Sequence, residues 1–280
     1  MSLLPQPVVF TDAFVLRTWS TGETSVVVSL LTAEHGYQRA IAKAARRPAS
    51  VLRPLVQPGR LTRVEISLIP DRELQYLRGG SVVLDSLART ACLETSVFLL
   101  AVVELVDRCR PSGAREGDLF ALCHRYVRML SSSPSGNEAY QFYAFESALL
   151  DLQGVAPVLN DCSNCGKQLF PGAETGLWFS PASGGVVCGP CAGNGAANTG
   201  RMLDATVWQA MRDLSRGAAT SGDERPRWVT RELGILLHHF LGYHLPGYRL
   251  PASLELLRPL PETTRERPGA DPESRSGGDD

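Results

Sequence analysis

Four cysteines carry the clearest chemistry in this chain. Cys162 and Cys165 form one pair and Cys188 and Cys191 another, each spaced by two residues, with 22 residues between the pairs. A Cys-x-x-Cys knuckle presents two sulfurs from one tight turn, and two knuckles supply the four thiolates of a tetrahedral Zn²⁺ with arms of ~2.3 Å. Gly166 after the first pair, Gly189-Pro190 within the second and Gly184-Gly185 ahead of it suit the turns required. Leu177 to Pro181 reads as a short strand running into a turn. Catalytic zinc keeps a position open for water. Here four sulfurs fill the shell and no histidine lies between Asp161 and Ala192. The spacing therefore predicts one structural Zn²⁺ in a ribbon. A thiol redox site needs only one such motif, at a strand-to-helix junction. Two disulfides would suit a secreted chain, but Met1 to Pro5 shows no signal peptide.

The second feature is a run of cations. Between His35 and Val64 stand Arg39, Lys43, Arg46, Arg47, Arg53, Arg60 and Arg63, with no acidic residue among them. Residues 1–80 carry ten Lys/Arg against six Asp/Glu, while the remaining 200 carry 18 against 23. A basic surface of this kind neutralises phosphates without reading bases, and six of the seven are arginines, whose planar fork suits phosphate oxygens. Single-strand binding also needs rings for bases to stack on. Phe14, Trp19, Tyr37 and Tyr76 are candidates; Trp19, beside a turn at Ser20–Glu23, is the best placed, and Phe14 suits a core equally well. A solvated basic loop of no function is the competing reading.

These residues must be positioned by two kinds of structure. Residues 8–78 read as five short strands: Val8–Leu16, Thr24–Leu31, Tyr37–Ala45, Leu61–Ile69 and Glu73–Arg78. Leu61–Ile69 alternates cleanly, with Val64, Ile66 and Leu68 on one face. A sheet this small needs closure, so an oligonucleotide-binding (OB) type barrel over 1–80 is predicted. From Val82 the period becomes helical: Ala91–Arg110, Asp118–Leu130, a helix capped by Asn137 and running to Gln153, Asp204–Ser215 and Trp228–Leu245. The expected architecture is α+β: the barrel, a helical domain over 81–159 plus 201–257, a four-cysteine zinc-ribbon insertion over 160–194, and a disordered tail over 258–280.

Other chemistries find no support. The chain has no phosphate-binding P-loop and no dinucleotide fingerprint. Glu104, Asp107, Glu138 and Glu146 read as helix-face acids, His238 and His239 as packing residues on different sides of one helix, and Cys92, Cys109 and Cys123 as core thiols. No apolar run approaches the ~18 residues that span a bilayer, and the thiol usage fits a reducing cytoplasm.

In order along the chain, several segments resemble the bacterial RecO family of recombination mediators. They are Phe14-Val15-Leu16-Arg17, Gly22-Glu23-Thr24-Ser25, Leu31 to Gly36, Ala42 to Arg47, Phe145 to Leu150 and Gly154 to Pro157, followed by the two cysteine pairs flanking Phe179-Ser180-Pro181, and finally Tyr243 to Leu256. The family commonly has glycine where Ala44 stands. The resemblance implies a non-enzymatic DNA repair and recombination protein, cytoplasmic and nucleoid-associated. It implies binding to single- and double-stranded DNA, annealing of complementary strands, and loading of the RecA recombinase together with RecR. RecR would be contacted partly through the barrel, and the helical body would accept the acidic tail of single-strand-binding protein. The alternative of another class is a zinc-ribbon protein–protein adaptor with an incidental basic loop.

Overall fold

A computed structural model describes residues 7–86, 92–110, 116–132, 136–172, 176–196, 200–217 and 225–257. The expected tail lies outside these residues. Five strands, β1 (Val8–Thr21), β2 (Ser25–Thr32), β3 (Gly36–Ala42), β4 (Leu61–Ser67) and β5 (Gln75–Leu84), close into a barrel in the order β1-β2-β3-β5-β4. Only the β3–β5 seam is parallel. Five strands closed in this way form an OB-type barrel. Ala13, Val15, Val28, Leu30, Ala40, Val64, Ile66 and Leu77 point inward and fill it.

β1 is longer than its pattern suggests. It pairs with β4 through Val8–Phe14 and with β2 through Ala13–Thr21, with a register shift between Val15 and Arg17. Such a bulge bends one strand enough to serve two seams, and it also interrupts the alternation, which is why the pattern ends at Leu16 in the sequence. Ser20 and Thr21 are strand, not turn. The reversal falls at Gly22–Thr24, where Gly22 takes a φ of 58°.

The helical body begins with α1 (Leu93–Arg108), α2 (Glu116–Ser132) and α3 (Glu138–Leu152). A short helical turn in the ribbon, α4 (Gly189–Cys191), comes next, and α5 (Ala205–Ser215) and α6 (Arg227–His244) complete the body beyond it. The late helices pack back on α3, as expected for an insertion. Phe142, Phe145, Trp208 and Phe240 are fully buried among them. Asp204 caps α5 by accepting the Thr206 N–H at 2.7 Å. After α6 the chain returns to α1, where the Glu104 carboxylate accepts the N–H groups of Ala252 and Ser253 at 2.8 and 3.0 Å.

Two acids overturn their reading as surface residues. Glu146 is completely buried, and the His238 Nε2 lies 3.3 Å from its Oε1. Burial holds the Glu146 carboxyl above its ordinary range, opposed by His238. Glu138 is buried as well. It accepts the Thr95 hydroxyl at 3.2 Å and the Gly136 N–H at 2.8 Å, while the Asn137 side chain expected to cap the helix makes no cap hydrogen bond. The cause is that α3 touches α1, α2, α5 and α6. A helix surrounded on most sides has no broad solvent face to which a polar residue can be assigned by periodicity.

The barrel joins the body at the start of β3. Gly36 has φ 61°, and a Cβ there would lie 1.6 Å from the Glu116 Oε2. That same oxygen accepts the Tyr37 N–H at 3.0 Å. Phe14 belongs to this junction rather than to the barrel core: it packs at a tilt against Phe120 of α2 with ring centroids 5.3 Å apart.

Candidate nucleic-acid interface and metal centre

The registers of the barrel define three rows across its outer face. Phe14, Leu31 and Tyr37 form the first, and its first two members are covered by the helical body. Arg17, Ser29 and Arg39 form the second. Trp19, Val27, Ile41 and Tyr76 form the third, which runs across four strands. Trp19 is half-buried in β1, two residues beyond Arg17, and the Arg39 guanidinium lies 5.1 Å from its ring. At the far end Tyr76 is ringed by Arg72, Lys43 and Arg78 at 4.7, 5.0 and 5.4 Å. The hydrogen bond from Arg72, followed by the charges of Arg72, Lys43 and Arg78, holds the Tyr76 hydroxyl below its ordinary range. Three strand spacings separate the two rings, roughly 14 Å.

The seven cations of the basic run do not share one furrow. Arg39 and Lys43 belong to the face just described. Arg46, Arg47 and Arg53 are exposed on the long β3–β4 connection. Arg46 donates to the Glu23 carbonyl at 3.2 Å and lines, with Arg53, Thr18 and Val26, a cavity of about 340 Å³. The backbone of Arg47 closes a turn onto the Ala44 carbonyl at 3.1 Å. Ala44 itself has φ 58°, the left-handed conformation that favours glycine. Arg60 lies 2.5 Å from Asp85. Arg63 grips Asp12 with two bonds of 2.8 and 3.1 Å on β4, which lies across the barrel from β2 and β3. Closure wraps a linear run around a cylinder, so neighbours in sequence leave on different sides.

Three residues of the face were missed from the sequence as cations. Arg17 was findable, since the alternation places it with Trp19. Arg72 and Arg78 meet Lys43 only through the parallel β3–β5 pairing, which has no local signature.

In the ribbon, β6 (Trp178–Ser180) and β7 (Gly185–Val187) form the expected hairpin, and β8 (Arg201–Met202) adds an unexpected third strand beside β6. The Gly166 N–H folds back to the Cys162 carbonyl at 2.8 Å in the first knuckle, and the helical turn α4 makes the second. Ser163 ties the knuckles together: its N–H and hydroxyl both donate to the Val186 carbonyl, at 2.8 and 3.0 Å. The four sulfurs lie within 4.8 Å of one another, with Cys165 and Cys188 at 3.9 Å. A tetrahedron with ~2.3 Å arms has edges of roughly 3.8 Å, so the arrangement fits a Zn²⁺ ion. Burial pushes the Cys162 thiol up, but backbone N–H groups of Cys188, Cys165 and Asn164 outweigh it and bring it down to about 6. Burial pushes the Cys188 thiol up to about 12. Behind the sulfurs Phe179 packs on Phe240 of α6 at 5.4 Å, joining the ribbon to the helical core. Cys109 and Cys123 are buried thiols, while Cys92 is partly exposed.

Residues 8–84 match the family model described as Recombination protein O N terminal, and residues 92–254 match Recombination protein O C terminal. The DNA repair protein RecO of Pelotomaculum thermopropionicum is 33% identical over 236 residues, covering 84% of this chain and 88% of that protein. That of Geobacter metallireducens is 30% identical over 235 residues, covering 84% and 91%. That of Desulforudis audaxviator is 30% identical over 260 residues, covering 89% and 96%. Among the described residues no helix is long and apolar enough to cross a membrane.

Proposed function

Because this chain belongs to the RecO family of DNA repair proteins, we propose that it is a DNA-binding recombination mediator and not an enzyme. It binds single- and double-stranded DNA, anneals complementary strands, and with RecR helps load RecA onto single-stranded DNA. One observation carries this reading: the barrel face on which the Arg17–Ser29–Arg39 row runs beside the Trp19–Tyr76 row. Arginines along one row meet successive phosphates, and rings along the next accept bases of any sequence. A mediator needs that indifference, because it must hold whatever strand is exposed. Phosphate contacts also make binding salt-dependent and readily reversed, which suits a protein that hands its strand on.

Cys162, Cys165, Cys188 and Cys191 hold one structural Zn²⁺ in this reading. The ion supplies no reaction; its role is to cross-link two knuckles whose hairpin packs on α6. The helical body offers a place for the acidic tail of single-strand-binding protein. A cavity of about 410 Å³ between α2, α3 and the end of α5 presents Leu122, Tyr126 and Phe145 beside Arg125 and Arg216. Apolar side chains of a tail would enter it while its carboxylates met the two arginines.

The test is an annealing assay with complementary oligonucleotides, run beside a direct binding titration. Replacing Arg17 and Arg39 together by glutamate is expected to abolish both at moderate salt. Unchanged binding would overturn the face assignment. A wild-type chain that captures RecR yet retains no DNA at low salt would establish the adaptor instead.

A further inference from the structure

The barrel face does not end at the barrel. Where it meets the helical body there is a concavity of about 530 Å³ lined by Arg17, Trp19, Tyr37, Arg39, Asp107 and Arg110. Asp107 belongs to the last turn of α1, and Arg110 follows that helix. The Arg110 guanidinium lies 3.5 Å from the centre of the Tyr37 ring, which is a stacking distance, and its Nε donates to the Asp107 carbonyl at 3.0 Å. Tyr37 is held from behind, with its hydroxyl 2.7 Å from the Ser29 Oγ and donating to Asp107 Oδ1 at 3.2 Å. Arg110 itself is exposed.

Two arginine-capped rings therefore flank the Arg17–Ser29–Arg39 row, Trp19 under Arg39 and Tyr37 under Arg110. Tyr37 lies in the first row and Trp19 in the third, so the two rings are roughly 13 Å apart along the strands, with Arg39 in the row between them. Arg17, in register with Ser29 between them, supplies a third cation. A guanidinium resting on a ring is weakly hydrated on its open face and keeps its N–H edge for phosphate oxygens, so each stack offers both a surface for a base and a donor for a phosphodiester.

We propose that Arg110, although it belongs to the helical body, is a strand-binding residue: stacked on Tyr37, it takes up a nucleotide farther along a single strand that leaves the Trp19–Arg39 pair across the domain junction. This rests on the proposed DNA role of the barrel face. It adds that the grip is shared between domains, and that Asp107, the carboxylate in the same concavity, works against it.

The full chain is titrated with oligothymidylates of increasing length over a salt series. Arg110→Ala is expected to weaken binding of the longer oligomers by at least about fivefold and to lower the salt slope by about 0.7. It should leave the shortest bound species unaffected. Arg110→Lys should keep the slope and lose part of the affinity, because an ammonium carries the charge without the flat stack. Asp107→Asn should tighten binding. If Arg110→Ala and Arg110→Lys both keep wild-type affinity and slope while Arg39→Ala loses both, Arg110 is only a brace between domains; the proposal is then overturned and the barrel's DNA role survives. Should Arg110→Ala fail to fold, unchanged affinity in Arg110→Lys alone overturns it. A wild-type chain that binds no oligomer removes the proposal and the reading beneath it together.

Discussion

Alanine replacements at Arg39, Trp19 and Arg63 should give three different outcomes, because the structure gives these residues three different situations. Arg39 stands in a cationic row over Trp19. Losing one phosphate contact to a single strand lowers the slope of log affinity against log salt by ~0.7. Between about 50 and about 200 mM salt, a fourfold rise, the advantage of the wild type over Arg39→Ala should shrink by about 2.6-fold. Trp19 carries no charge. Trp19→Ala should cost ~1–3 kcal/mol of stacking, which is roughly 5- to 150-fold in affinity, at every salt concentration and with little change of slope. Arg63 is committed to Asp12 through two short bonds on the opposite side of the barrel. Arg63→Ala should move neither affinity nor slope, although it belongs to the same basic run in sequence. Fluorescence anisotropy of a labelled oligothymidylate reads all three. A slope that fell as far in Arg63→Ala as in Arg39→Ala would place the strand on the β4 side and refute the face.

Three further perturbations probe the frame. Gly36→Ala meets the left-handed backbone penalty and drives the Glu116 carboxylate off the Tyr37 N–H, so a loss on the order of 3 kcal/mol is expected in urea unfolding. Glu116→Ala should lose only the hydrogen-bond part, and equal losses in the two variants would contradict the steric account. At Glu146, burial raises the folded carboxyl, so its contribution to stability is full below the unfolded carboxylate range and is lost as pH rises through the folded value. Glu146→Gln does not titrate and should gain on the wild type as pH rises from acid to neutral. Urea midpoints that run parallel with pH would refute this. Cys162→Ser with Cys188→Ser should abolish zinc retention and lower the melting temperature, since Phe179 couples the ribbon to α6. Full metal content in that double variant, by elemental analysis, would contradict the ligand set.

The four-cysteine cluster was legible because its information is local. Two knuckles at fixed spacing bring four sulfurs together whatever surrounds them, and the glycines around them announce the turns. The barrel was legible for a similar reason in β4, whose alternation survives intact, and in β2, read from its β-branched run. It failed in β1, where the bulge at Leu16 shifts the phase, so the strand seemed to end there although it continues through Arg17 and Trp19 to Thr21. Glu146 was misjudged for another reason: a helix packed on several sides has no broad polar face, and its partner His238 lies 92 positions later in the chain.

The amino-acid sequence determined which chemical groups this protein owns, namely two cysteine pairs, an arginine-rich stretch, a few candidate rings, and strands followed by helices. Side-chain type and short-range periodicity are properties of the chain before it folds. Which cations act together was decided only in three dimensions. Barrel closure carried Arg60 and Arg63 away to carboxylates, the parallel seam brought Arg72 and Arg78 to Lys43, and the docking of α1 set Arg110 on Tyr37. Electrostatic and stacking contacts act over a few ångströms of space, and separation along a sequence says little about such distances until the chain has closed on itself.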